Sequence, residues 1–325
     1  MANSANRDYG IDLARTIAIL GVVLVHSGVF DNGRFGVQLF FLVSGYLLAD
    51  LGKLSGRDFL IRRGFRLFPL YWVILILFYR NYYDSFWQLF ISIILIQGSH
   101  WIFTSSPGSW SISNEWLFSL LLPVIRQITR KQLLFLIGLS WLGQFFTSFV
   151  VHKWGGIIES DSQGQYVMKI WLNTLNPLIN LAFFLIGIGL RRSYIPILDH
   201  RFTACTIIIF GQFLSSFFSI DMLFMWPPIL WATFSLCIKW QPKSNTLKKS
   251  VIFIGQRTYG IFFIHFIILR YAQEFLWIKA LTDSLGLRNL VLFTVTLLAS
   301  AILAEFSWRF IESPLINFSK KLISR

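Results

Sequence analysis

The chain has 325 residues, 55% of them hydrophobic and 14% charged, with 29 Lys and Arg against 15 Asp and Glu and a mean hydropathy of +0.62. That balance excludes a soluble globule with a polar surface. The formal net charge of +14 does not indicate nucleic acid, because a polytopic membrane protein gathers Lys and Arg on its inner loops for topological reasons. The 34 Phe and 13 Trp suit lipid-facing and interfacial positions. Cys205 and Cys237 each lie in an apolar segment, so no disulfide framework and no Cys-rich metal site is expected.

The first apolar stretch, 11–30, is long enough at roughly 20 residues to cross a bilayer as a helix. It carries Asp12, Arg15 and His26 and lacks a small-x-small cleavage site, so it is expected to stay as the first span. Arg15 and His26 fall on nearly the same helix face but about 16 Å apart along the axis. They cannot touch, and with the N-terminus inside, Arg15 lies near the inner surface and His26 deep, towards the outer half. Ionisable groups in a span usually mark function. The structural alternative is a histidine bonded to a neighbouring helix and an arginine snorkelling to headgroups.

The second span, 35–51, leads into a basic loop from Lys53 to Pro69. Arg63 and Arg66, three residues apart, share a face on a helical turn and can grip a phosphate or diphosphate through forked hydrogen bonds. Arg62 is a weaker addition. A topogenic cluster touching anionic headgroups is the other reading. After the third span, 67–79, the stretch 86–97 is too short to cross and is expected to be interfacial or re-entrant. The fourth span, 110–125, opens with Trp110-Ser-Ile-Ser-Asn-Glu115. Glu115 can accept a proton, orient His26 or bind a sugar hydroxyl. Alternatively, backbone N–H groups of the helix N-terminus stabilise it, with Ser111 or Ser113 as a cap.

The remaining spans are 133–151, 169–190, 202–218, 222–240, 251–270 and 289–310. Leaving out 86–97 puts most basic residues inside and only Arg34, Arg80, Lys153, Lys169, Arg270, Lys279 and Arg288 outside. The positive-inside bias thus selects an all-α bundle of ten transmembrane helices with both ends cytoplasmic, in one domain spanning 1–325. His265, about 21 Å into the ninth span, matches His26 in depth and can face one cavity with it. It can equally serve as a contact between helices. Glu305 is expected to pair with Arg309 one turn away. Glu312 and Pro314 read as a helix terminus. His100, His152 and His200 fall in loops without metal-ligand spacing, and no metal is expected.

These pieces, in this order, resemble the membrane-bound acyltransferase-3 family along most of the chain. Arg15, ten residues and His26 are similar to its first-helix signature, preceded by Ile-Asp-Leu-Ala at 11–14. The run 36–47, GVQLFFLVSGYL, resembles its second span. Arg63 and Arg66 match an Arg-x-x-Arg element, and Trp110 to Glu115 matches a Trp-Ser-Leu-Ser-x-Glu stretch. YGIFFIH at 259–265 and FIESP at 310–314 look like two further segments. Ser119 departs from the family, where an aromatic residue is common, and that bears on local packing or acceptor contacts.

The resemblance implies transfer of an acyl group, most often acetyl, from cytoplasmic acyl-CoA to a hydroxyl of a carbohydrate or lipid-linked glycan on the outer side of a bacterial inner membrane. Family members without a fused extracytoplasmic domain often modify O-antigen or exopolysaccharide, and this length leaves no room for such a domain, which favours a surface polysaccharide. In this reading Arg63 and Arg66 bind the donor, and His26, Arg15 and Glu115 form the catalytic set. His26 is either a general base or a transiently acylated carrier. Arg15 holds the donor or stabilises the developing oxyanion. Acceptor recognition falls to the outer loops 152–165 and 271–288 and to helix ends. A reading from another class is a transporter or flippase that moves a polar substrate past Arg15, His26 and Glu115.

Overall fold

The computed structural model describes residues 8–30, 35–49, 55–79, 85–96, 108–158, 175–218, 222–274 and 285–323. The outer-loop expectations at 152–165 and 271–288 lie for the most part outside these residues, as does His100. Among the described residues there is no strand. The helices are α1 (Tyr9–His26), α2 (Phe35–Leu48), α3 (Gly56–Ile74), α4 (Phe86–Ile93), α5 (Ser109–Ile125), α6 (Arg130–Ile158) and α7 (Pro177–Arg191). They continue as α8 (Arg201–Phe218), α9 (Met222–Ile238), α10 (Asn245–Glu274), α11 (Leu285–Ser307) and α12 (Ser313–Ile323). Among the described residues Tyr9–His26, Asn245–Glu274 and Gly286–Ile323 are long and apolar enough to cross a membrane, and Phe35–Leu48, Pro177–Arg191, Arg201–Leu214 and Met225–Ile238 are shorter apolar helices.

Both ends of α1 are fixed by local chemistry. The Asp8 carboxylate accepts from the N–H groups of Gly10 and Ile11. After His26 the chain turns through Gly28 at φ +73°, and the N–H groups of Gly28 and Val29 return to the carbonyls of Val25 and Leu24. Asn289 at the start of α11 donates to the Gly28 carbonyl at 2.8 Å, so the end of α1 is tied to a second helix. Beside α1, α2 crosses α7 at backbone distance. A side chain at Gly45 would overlap the Phe184 carbonyl, and one at Gly187 would overlap the Leu42 carbonyl. Small residues permit such approach, and tight dispersion contact is what holds apolar helices together in lipid. Gln38 adds a bond across this interface to Asn180 at 3.3 Å.

Two apolar clusters result. One joins α2, α5, α7 and α9 around Phe41, Phe118, Phe183 and Phe234. The other joins α1, α3 and α10 around Ile19, Leu67, Tyr71 and Phe263. The stretch 86–97 forms only the eight-residue α4, about 12 Å long. Its last carbonyls are capped by neighbours: Tyr71 donates to Ser92, Trp72 to Ile93 and Ser113 to Leu95. A helix end held inside protein in this way is what an apolar solvent requires.

Two sequence expectations are corrected. Helix α3 begins at Gly56, capped by Ser55, so Arg63 and Arg66 lie within a helix rather than in the preceding loop. Glu312 and Pro314 do not mark a terminus. Helix α11 runs through a π turn, Trp308–Glu312, directly into α12. The wider π turn before Pro314 accommodates its ring and its missing N–H. Glu312 is consequently buried and accepts from Ser307 at 2.8 Å.

The α2–α7 crossing predicts an asymmetric response to added methyl groups. Gly187→Val should destabilise the protein by about 1–3 kcal/mol, whereas Gly138→Ala, with nothing within 4 Å, should be neutral or slightly stabilising. Thermal unfolding in detergent, followed by thiol labelling of the buried Cys237, measures both.

Candidate functional site

Glu115 sits in the second turn of α5, and its neighbours in the motif fasten that turn. Gly108, at φ +74°, caps α5 without a side chain, and Ser111 donates to its carbonyl at 2.8 Å. Ser113 reaches Leu95, and Asn114 reaches the Leu175 carbonyl at 2.8 Å. The serines therefore serve the backbone, and Glu115 is held by side chains from two other helices. Arg63 of α3 donates from Nη2 to Glu115 Oε1, forming an ion pair whose side chains are 5% and 15% exposed. Ser44 of α2 donates to the same oxygen at 2.5 Å. Ser119 completes the set, accepting from Arg63 Nε at 3.2 Å and donating to the Glu115 carbonyl at 2.7 Å. Added hydrogen bonds of this kind offset part of the desolvation cost of a buried ion pair.

The contact also revises depth. The sequence reading set Arg63 at the inner surface and Glu115 at the outer end of its span. Counted from the start of each helix, Arg63 lies about 10 Å in and Glu115 about 9 Å in from the opposite side. Their long side chains meet in the middle of the helical layer. Arg63 is thereby committed to Glu115, and of the two arginines chosen for donor binding it is Arg66 that faces open space.

That space is a cavity between α1, α2, α3, α5 and α10, about 520 Å³ with its open mouth included. Arg15, Arg66 and Glu115 line it, with Ser44, Ser111, Thr258 and Tyr259 as further polar groups and Phe40, Phe41 and Phe262 as apolar walls. Asp12, buried one turn before Arg15, lies 4.0 Å from its guanidinium. Tyr259 donates to the Leu67 carbonyl, fixing α10 against α3 close to Arg66. Three of the five residues selected from sequence therefore share one wall, and a fourth, Arg63, supports it from behind. Ser44 and Tyr259 were missed. A lone serine in the apolar run FLVSGY was the available signal for Ser44.

His26 lies at the far end of α1, as the 11-residue spacing predicts, and is exposed. Its ring meets that of His265 at 5.3 Å between centroids with a 39° tilt. Phe266 packs against both, at 4.6 Å from His26 and 4.0 Å from His265. Matching depth on two helices thus becomes contact between two histidines. Phe262 bridges this end and the cavity: it lines the cavity and lies 5.9 Å from His265. Away from the site, Glu305 accepts from Arg309 at 2.5 Å as expected, and also from Arg257, which the sequence reading did not pair.

A family model described as an acyltransferase domain, acyltransferase-3, matches residues 8–305. The chain is 25% identical over 359 aligned residues to the O-acetyltransferase OatA of Staphylococcus aureus strain NCTC 8325, covering 94% of this chain and 57% of that protein. It is 24% identical over 354 residues to the putative O-acetyltransferase SACOL0978 of Staphylococcus aureus strain COL, covering 94% of this chain and 56% of that protein. The chain thus spans a little over half the length of these relatives. No solved structure matches it.

Removing one partner of the buried pair should cost more than removing both. Arg63→Leu strands the Glu115 carboxylate and should destabilise the fold by about 3–5 kcal/mol. Arg63→Leu combined with Glu115→Leu should lose clearly less than the sum of the single variants, as a double-mutant cycle of thermal unfolding would record.

Proposed function

We propose, from the premise that the chain belongs to the acyltransferase-3 family, that it is an integral-membrane O-acyltransferase moving an acetyl or other short acyl group from cytoplasmic acyl-CoA to a hydroxyl of an extracytoplasmic carbohydrate. The acceptor is a glycan, free or lipid-linked, of a bacterial surface polysaccharide such as O-antigen or exopolysaccharide. The protein acts in the inner membrane as one domain of ten spans with both termini cytoplasmic. The observation that carries this reading is the alignment of two sites on one helix: α1 contributes Arg15 to the cavity and His26 to the histidine pair about 16 Å further on.

The chemistry follows from those positions. Arg66 and Arg15 present guanidinium forks to a polyanionic donor, geometry that suits phosphate and diphosphate oxygens. Arg63 holds Glu115 in place at the border of the same cavity. Thioester transfer needs a base that is neutral near pH 7, and an imidazole is that group. His26 takes the hydroxyl proton as the oxygen attacks the thioester carbonyl. The C–S bond breaks, and the leaving thiolate recovers the proton as free CoA thiol. Phe40, Phe41 and Phe262 give the cavity an apolar side against which the uncharged part of the donor can lie.

The test is release of CoA thiol from acetyl-CoA by the purified protein in the presence of a bacterial polysaccharide extract. His26→Ala should lower turnover by about 10²–10⁴-fold, the usual worth of a general base. Arg66→Gln should raise KM for acetyl-CoA by about tenfold, equivalent to about 1.4 kcal/mol, with a smaller change in kcat. Release that is independent of His26 counts against the proposed role, and trapped acyl-histidine in the absence of acceptor would replace direct transfer with a carrier mechanism.

A further inference from the structure

Arg62 precedes the committed Arg63 on α3 but belongs to a different face. Adjacent residues of a helix diverge by about 100°, whereas residues four apart return to within about 40° of each other, one turn or about 6 Å along the axis. Arg62 therefore shares a face with Arg66, while Arg63 beside it is turned to Glu115. Among the described residues Arg62 and Arg66 have no hydrogen bond or ion pair, and neither is buried. The carboxylates nearby are already engaged: Asp58 accepts from Ser55 at 2.6 Å, Glu312 from Ser307 at 2.8 Å, and Glu115 from Arg63 and Ser44. A like-charge pair at i, i+4 destabilises a helix. Two open guanidinium forks one turn apart instead suit a ligand that carries two separate phosphate groups. Helix α12 flanks this part of α3: its half-exposed Phe318 meets Phe65 at 5.7 Å between ring centroids, and its last turn is basic, with Lys320 and Lys321.

We infer that Arg62 binds the ribose 3′-phosphate of the acyl-CoA donor, so that Arg62 and Arg66, rather than Arg63 and Arg66, grip its nucleotide end. The inference rests on the proposed transferase reading, in which Arg66 holds the donor's diphosphate at the cavity. In CoA a single ribose separates the 3′-phosphate from the 5′-diphosphate, a span comparable to the one helical turn between the two arginines. Arg62 lies on the N-terminal side of Arg66, which is cytoplasmic in the proposed topology. The nucleotide end then stays at the inner surface while the acyl-pantetheine arm runs the other way, into the cavity. Phe318 gives the adenine ring an aromatic face beside the pair. A phospholipid headgroup offers the same phosphate chemistry, but a single phosphodiester meets one of the two forks, whereas the donor meets both.

Comparing CoA with 3′-dephospho-CoA isolates the one phosphate in question. Affinities are measured by calorimetry on the full chain in phosphatidylcholine nanodiscs, free of anionic headgroups, so the readout does not depend on turnover. The wild-type protein should bind CoA about tenfold or more tighter than 3′-dephospho-CoA, the usual worth of a charge-assisted hydrogen bond. Arg62→Gln should abolish that preference by weakening CoA alone, Arg62→Lys should restore part of it, and Arg57→Gln, an exposed charge one turn earlier, should leave it intact. In turnover with a bacterial polysaccharide extract, Arg62→Gln should raise KM for acetyl-CoA about tenfold with kcat unchanged. Equal weakening of both ligands in Arg62→Gln, or a preference that survives it, would overturn the inference. So would unchanged affinity for both together with loss of phosphatidylglycerol binding, which would assign Arg62 to a headgroup. If the wild-type protein binds neither ligand, the donor reading itself fails and takes the inference with it. If the preference is present and Arg62-dependent but no acyl group is transferred, the proposed reaction fails and the phosphate site stands.

Discussion

A guanidinium and a carboxylate in the middle of an apolar helical layer organise this molecule. Each alone would carry a desolvation cost of several kcal/mol, and together, with Ser44 donating to the same Glu115 oxygen and Ser119 accepting from Arg63 Nε, they form one connected set. Because Arg63, Glu115 and Ser44 come from α3, α5 and α2, satisfying that set fixes three helices relative to one another. The cavity lies beside them, bordered by all three helices. On the other side of α2, Gly45 and Gly187 bring its backbone against that of α7.

The same logic explains why the two ends of α1 have different surroundings. At Arg15 the helix borders a cavity with charged and hydroxyl groups, which the proposed reading assigns to the anionic part of a donor. Eleven residues later it borders a second helix through tilted and edge-on imidazole and phenyl rings, and there the proposed reading puts proton transfer. A rigid helix sets the separation, and its capped ends hold both positions. In the proposed reading, the distance between the groups that bind and the group that reacts is a property of helical rise rather than of loop conformation.

Much of this was legible in the sequence, because ionisable residues are rare in apolar stretches and each therefore stands out. Arg15, His26 and Glu115 were identified on that ground, and the depth match between His26 and His265 anticipated their contact. What could not be read was partnership across helices. Arg63 and Glu115 are 52 residues apart, and treating each span as starting where hydrophobicity starts put Arg63 in a loop. Charged residues in the first turns of α3 concealed a helix that already ran from Gly56. Pro314 misled for a related reason: proline usually interrupts a helix, but a π turn just before it lets the helix continue and buries Glu312. Ser119, unusual for the family, is the hydroxyl that Arg63 Nε uses. Pairwise contacts of this kind depend on helix rotation and tilt, which the period of a single helix does not encode.

The central claim is that the cavity lined by Arg15, Arg66 and Glu115 receives the acyl donor. A cryo-electron-microscopy structure of the protein with a non-transferable thioether analogue of acetyl-CoA tests it most directly. The account predicts the diphosphate of the analogue in hydrogen-bonding contact with Arg66 and its sulfur directed along α1 towards His26. An analogue seated elsewhere, with the cavity empty and Arg66 uninvolved, would contradict it.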